Sequence, residues 1–171
     1  MASYRPEIFI HIPKTGGTSI CNSLRVEGKH TPLSHRPEGG FRFTFIRNPW
    51  DHARSWWHHC QYGKRTSFEG WALDGCPGTW TVGDTGVHMP RQGDWFERLG
   101  DPPMDFIGRF ESLDADFGRL CVLIGVEGIT LSHDNDRGGS KRPHYREVWT
   151  PAMRNATPWL DEFAGRYGYE F

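Results

Sequence analysis

A lysine and two glycines set among hydroxyl residues, Pro13-Lys14-Thr15-Gly16-Gly17-Thr18-Ser19, stand directly behind the apolar run Ile8-Phe9-Ile10-His11-Ile12. Residue types in this order bind an anion: a buried strand delivers the turn, the glycines let backbone N–H groups approach a phosphate, and the following helix presents its positive end there. The ATP/GTP loop ends Gly-Lys-Ser/Thr, whereas here the lysine precedes the glycines, which points away from phosphoryl transfer. A second apolar stretch, Phe43-Thr44-Phe45-Ile46, runs into Arg47-Asn48-Pro49-Trp50-Asp51-His52-Ala53-Arg54-Ser55. Arg47 at that strand's carboxyl edge and Ser55 two turns into the next helix could grip one phosphate, the guanidinium through paired hydrogen bonds and the hydroxyl through one more. The competing reading pairs Arg47 with Asp51, and Arg54 is expected on a solvated helix face.

With these two elements the chain resembles the sulfotransferases that use 3′-phosphoadenosine-5′-phosphosulfate (PAPS), in particular the carbohydrate-type branch, as a short soluble bacterial or viral member. The resemblance also draws on Phe106-Ile107-Gly108-Arg109-Phe110-Glu111-Ser112-Leu113 and the closing Tyr167-Gly168-Tyr169-Glu170-Phe171. It implies that Lys14, Thr15, Gly16, Gly17, Thr18 and Ser19 hold the 5′-phosphosulfate and that Arg47 and Ser55 hold the 3′-phosphate. It further implies an α/β fold with a P-loop-like three-layer core, a short parallel sheet flanked by helices, and a catalytic histidine or glutamate between the first helix and the second strand. There Gly28-Lys29-His30-Thr31 makes His30 the first candidate for the base.

The elements that must position these residues are legible as strand, loop and helix twice over. Residues 8–12 and 41–46 read as buried strands and 18–27 and 50–62 as helices, an alternation that predicts a parallel, doubly wound sheet with ligands beyond the strands' carboxyl ends. Residues 106–110 add a third strand. In the helix after it, Ser112 is the expected cap, Asp114 and Asp116 fall in the first turn, Leu113, Phe117, Leu120, Cys121 and Ile124 form one apolar face, and Gly125 is the stop. Thr157-Pro158 reads as a cap and first helical position, with Trp159, Phe163 and Tyr167 on one side and Gly168 as the stop. Residues 63–104 are rich in Gly and include Trp71, Trp80 and Trp95. They read as an irregular insertion with one or two short helices, its tryptophans either stacking on an acceptor or, the better-supported reading, forming a small core. A polar loop, residues 132–145, carries Arg137, Lys141 and Arg142, and Arg142 is assigned to the nucleotide.

A chain of 171 residues suits one domain with a substantial core. The net charge of −1 conceals an asymmetry: residues 1–65 carry 10 Lys/Arg against 4 Asp/Glu, and residues 66–171 carry 10 against 17. The half with both anion elements is therefore basic, as a multiply charged nucleotide requires. No basic run, helix-turn-helix or zinc finger suggests a nucleic acid. No apolar run is long enough for a membrane and the N-terminus lacks an apolar signal core, so a cytoplasmic protein is expected. The cysteines at 21, 60, 76 and 121 lack zinc spacing and are expected as reduced thiols, Cys60–Cys76 being the alternative pairing.

Sulfuryl transfer moves an SO3-like group from a phosphate oxygen to an acceptor, so charge builds on the leaving phosphate and Lys14 is its natural partner. No metal is expected. The acceptor is a small molecule or glycan with a hydroxyl group, and its proton needs a base; after His30 come His35, His58, His59 and His88, while His11 reads as structural. Two rivals stand beside this reading: a P-loop-type nucleotide phosphotransferase, and a protein that binds the nucleotide without turnover.

Overall fold

In the sheet, β2 (Phe41–Ile46) lies between β1 (Glu7–Ile10) and β3 (Phe106–Arg109), and both pairings are parallel. Phe9 is in register with Phe43 and Phe43 with Phe106, so apolar side chains meet across all three strands. The last four residues of β2 are buried, the pattern of a parallel strand covered on both faces. Thr44, the polar one, is fully buried because its Oγ1 donates to the Ile10 carbonyl at 2.8 Å. The computed structural model describes residues 7–26, 40–59, 66–77, 91–97, 103–134 and 143–171. They form two compact units, one from residues up to Ile46 and from Thr81–Asp136, the other from Arg47–Trp80 and Arg137–Phe171.

The first unit holds the sheet with α1 (Gly17–Leu24) and α4 (Leu113–Ile124). Phe9, Ile20, Phe43, Phe45, Phe117 and Leu120 are central to its core. The predicted face of α4 is the buried one, and Gly125 ends the helix in the left-handed conformation (φ 72°). The start of α4 differs from the expectation. Ser112 occupies the cap position, but its hydroxyl donates to Asp116 (2.8 Å), which also accepts the Arg109 amide (2.7 Å) and pairs with Arg119 (3.0 Å). Asp116 is buried, so one carboxylate in the first turn ties β3 to α4 where a hydroxyl cap was expected. Strand order follows chain order, so among the described strands there is no reversal of the kind a doubly wound sheet requires.

The second unit is helical: α2 (Pro49–His59), α3 (Phe68–Leu73), α5 (Tyr145–Val148), α6 (Pro151–Ala156) and α7 (Pro158–Tyr167). Trp50, Trp56, Trp71, Tyr145, Trp149 and Met153 dominate its core. Trp71 is buried and donates from its indole to the Pro77 carbonyl at 2.6 Å; in the first unit Trp95 is buried in a 3-10 turn, Gly93–Trp95. Both tryptophans therefore serve as core, and Trp80 lies outside the described residues. Thr157 does not cap α7, because its Oγ1 donates to the Met153 carbonyl (2.9 Å) and so closes α6. The buried face of α7 is Leu160, Phe163 and Ala164, with Trp159 and Tyr167 only partly covered. Cys21, Cys76 and Cys121 are buried free thiols, and burial pushes Cys76 up to about 12; Cys60 lies outside the described residues.

Gly108 in β3 is demanded by the ring of Phe45, since a Cβ there would fall 2.3 Å from Cε1 of that fully buried side chain. Replacing Gly108 by Ala should cost about 1–3 kcal/mol, read as a lower urea midpoint at unchanged slope. An unchanged midpoint would show that the ring yields freely.

Candidate functional site

The anion loop begins where β1 stops. Ile12 returns its amide to the Ile10 carbonyl (3.1 Å), and the Thr15 hydroxyl, fully buried, donates to the Ile12 carbonyl (2.8 Å). Thr15 thus spends its side chain on shaping the turn. Lys14 (φ 69°) and Gly16 (φ 84°) are left-handed, while Thr15 and Gly17 are not. Alternation of backbone sign is the pattern of the concave "nest" of N–H groups that holds anions in phosphate loops. It costs the lysine on the order of 1 kcal/mol, a strain of the kind concentrated at functional positions. Gly16 is the N-cap residue of α1, and the first turn of α1 carries no acidic side chain to compete for its amides.

The two glycines also meet close packing from within the protein. A Cβ on Gly17 would lie 2.0 Å from Cδ2 and Nε2 of His11, and one on Gly16 would lie 2.8 Å from Cδ2 of Leu113. Their missing side chains let protein pack behind the loop. His11 is buried and stacked on Phe9 (centroids 5.3 Å apart, planes within 10°), which in turn stacks on Phe43 (4.9 Å). Thr18 is exposed. Ser19 is buried, its Oγ accepting from the Asp134 amide (3.1 Å) and donating to the Asp134 carbonyl (3.4 Å). Around that contact Asn22 donates to the Asp134 carboxylate (2.9 Å), Ser132 does the same (2.5 Å), and the Ser132 amide donates to Ser23 (2.8 Å). The hydrogen bonds from Ser132 and then Asn22 hold the Asp134 carboxyl below the usual carboxylate range. Residues 132–134 are therefore strapped along α1.

The sequence reading missed one pair in this unit. His133 Nε2 lies 3.2 Å from Asp114 Oδ1, in the first turn of α4. Nothing local signals it, because the two residues come from separate segments that meet only through the docking of α4 and the strap.

In the second unit Asn48 starts α2: its Oδ1 accepts the Asp51 amide (3.3 Å) and its Nδ2 donates to the Tyr145 hydroxyl (3.0 Å). Arg47 pairs with Asp51, Nε at 2.7 Å and Nη2 at 2.5 Å, both on Oδ2. Ser55 is one further turn along the stripe, so Asp51 stands between the two groups expected to share a phosphate. Arg54 is buried rather than solvated and donates to the Pro143 carbonyl. His58 and His59 are exposed at the end of α2. His30, His35, His88, Arg137, Lys141 and Arg142 lie outside the described residues. Thus the Lys14–Ser19 loop belongs to the first unit, and Arg47 and Ser55 belong to the second.

Among the described residues no group of three or more His, Cys, Asp or Glu is placed to hold a metal ion, and no helix is long and apolar enough to cross a membrane. Compared with protein-family models, with curated proteins and with solved structures, the chain finds no match.

Two substitutions probe these contacts. An alanine at an exposed first helical position normally gains stability over glycine; Gly17→Ala should instead lose about 1–3 kcal/mol against the His11 ring, and His11→Ala should restore part of that loss in the double variant. Additive urea midpoints would mean that the ring does not set the contact. Replacing Asp51 with Asn removes a negative charge beside Arg47, so adenosine 3′,5′-bisphosphate should bind roughly fivefold tighter, about 1 kcal/mol. Unaltered affinity by calorimetry would remove Arg47 from anion binding.

Proposed function

We propose that the chain is a PAPS-dependent sulfotransferase acting on a hydroxyl acceptor in the cytoplasm. The observation that supports it most is the alternating backbone of Lys14–Gly17 at the carboxyl end of β1, with a lysine held in a left-handed position that glycine would fill more cheaply. A nest ahead of a helix N-terminus binds a phosphate-like group through amides alone. Lysine there adds an ammonium group where charge develops. The reading carries with it a P-loop-like, three-layer core, which the parallel strands and the position of the loop favour.

In this mechanism the 5′-phosphosulfate occupies the loop and the acceptor oxygen attacks sulfur in line. As the S–O bond to the phosphate lengthens, negative charge grows on the leaving oxygen, and Lys14 stabilises that state more than the ground state. The amides of residues 15–19 supply further donors, with Thr15 and Ser19 contributing through the backbone because their hydroxyls are committed within the protein. Arg47, with Ser55, receives the 3′-phosphate by giving up part of its contact with Asp51. The carbohydrate preference rests on the family resemblance, since Trp71 and Trp95 are in the core.

Calorimetry with adenosine 3′,5′-bisphosphate and with ATP plus Mg²⁺ tests the nucleotide class. The bisphosphate should bind more tightly; tighter ATP would support the phosphotransferase reading instead. With labelled PAPS, Lys14→Ala should lower turnover ~10²-fold or more while retaining most nucleotide affinity. Full turnover in that variant would take Lys14 out of the chemistry.

A further inference from the structure

The geometry points to His133, oriented by Asp114, as the general base that takes the acceptor's proton. This rests on the sulfuryl-transfer reading above and adds to it a residue that none of the sequence motifs contains. Three contacts within the first unit place the pair. Asp114 follows Leu113, the side chain against which Gly16 of the loop is pressed. His133 precedes Asp134, whose amide and carbonyl both bond the Ser19 hydroxyl in the first turn of α1. The two residues then meet each other at 3.2 Å. Each partner is thus one residue removed from a group touching the anion loop, on two different segments. The amino end of α4 follows β3 after one 3-10 turn, Phe110–Ser112, on the side of the sheet's carboxyl edge where ligands of parallel sheets bind.

The arrangement is that of a proton acceptor. A neutral imidazole has one N–H and one lone-pair nitrogen. With the Nε2–H directed at Asp114, the carboxylate orients the ring and selects the tautomer, and Nδ1 is left as the proton acceptor. Both side chains are about two-thirds exposed (68% and 70%), so an acceptor arriving from solvent can reach the ring. An ion pair this exposed contributes little to stability, which leaves the pair without a strong structural purpose. The strap formed by Ser132 and Asp134 on Ser19, Asn22 and Ser23 supplies the rigidity that the exposed ring lacks.

The step balances as follows. The acceptor R–OH gives its proton to His133 Nδ1 while its oxygen forms the new bond to sulfur. The bond between sulfur and the bridging phosphate oxygen breaks, its electron pair staying on adenosine 3′,5′-bisphosphate beside Lys14. The products are R–OSO3⁻, the bisphosphate and an imidazolium, which returns its proton to water.

The test uses the full chain, labelled PAPS and a panel of methyl glycosides and simple alcohols. His133→Ala should lower kcat ~10²-fold and Asp114→Asn about tenfold, with KM for PAPS and affinity for adenosine 3′,5′-bisphosphate within about twofold of the parent. Added imidazole should restore part of the His133→Ala rate, which a packing defect would not allow. Normal turnover in both variants, or a loss confined to His30→Ala, overturns the assignment while leaving the sulfotransferase reading intact. A parent protein that transfers nothing to any acceptor defeats that reading, and the dyad falls with it.

Discussion

The His11 ring sets how closely α1 can approach the end of β1, and the conformation of the anion loop depends on that spacing. Gly17 rests on the imidazole with no room for a methyl group, Phe9 and Phe43 back the imidazole in a parallel stack, and Leu113 closes against Gly16 from the other side. With both ends of the turn pinned, Lys14 is held in a left-handed conformation that its side chain disfavours, whereas Gly16 adopts its own freely. The cost is met by packing from Phe9 and His11 just ahead of the loop and from two segments distant in sequence, β2 and the start of α4. Backbone over-determined in this way is preorganised, since little reorganisation would remain for any ligand it received.

Arg47 illustrates the opposite strategy. Its guanidinium is held by Asp51 one turn away, on a helix whose start is fixed by Asn48 and Tyr145. A partly buried arginine needs a carboxylate when no ligand is bound. The same partner weakens any anion that Arg47 binds, so occupancy and rest state compete for one cation.

The strand–loop–helix plan was legible because its signals are local: the apolar runs, the glycine at 125, the proline at 158. The apolar face of α4 was likewise carried by the spacing of Leu113, Phe117 and Leu120. What escaped sequence reasoning is decided by contacts between distant segments. Ser112 and Thr157 have the right identity and position for caps, yet one is drawn to Asp116 and the other to the preceding helix. The tight fit of Gly17 on His11 has no sign in the order of the residues either. The solvated setting expected of Arg54 failed for the same reason, since its acceptor is a carbonyl at residue 143. Of the candidate site, the turn between β1 and α1 could be read from residue order, whereas the commitment of the Thr15 and Ser19 hydroxyls could not.

The distribution of indoles has an optical consequence. Among the described residues six of the seven tryptophans, at positions 50, 56, 57, 71, 149 and 159, fall in the helical unit, and the unit with the sheet holds Trp95. Intrinsic fluorescence of this protein is therefore dominated by one half of it. Loss of order around the sheet and its loop would pass nearly unseen in the emission spectrum, so a denaturation curve followed by light and one followed by backbone ellipticity would weigh different parts of the chain.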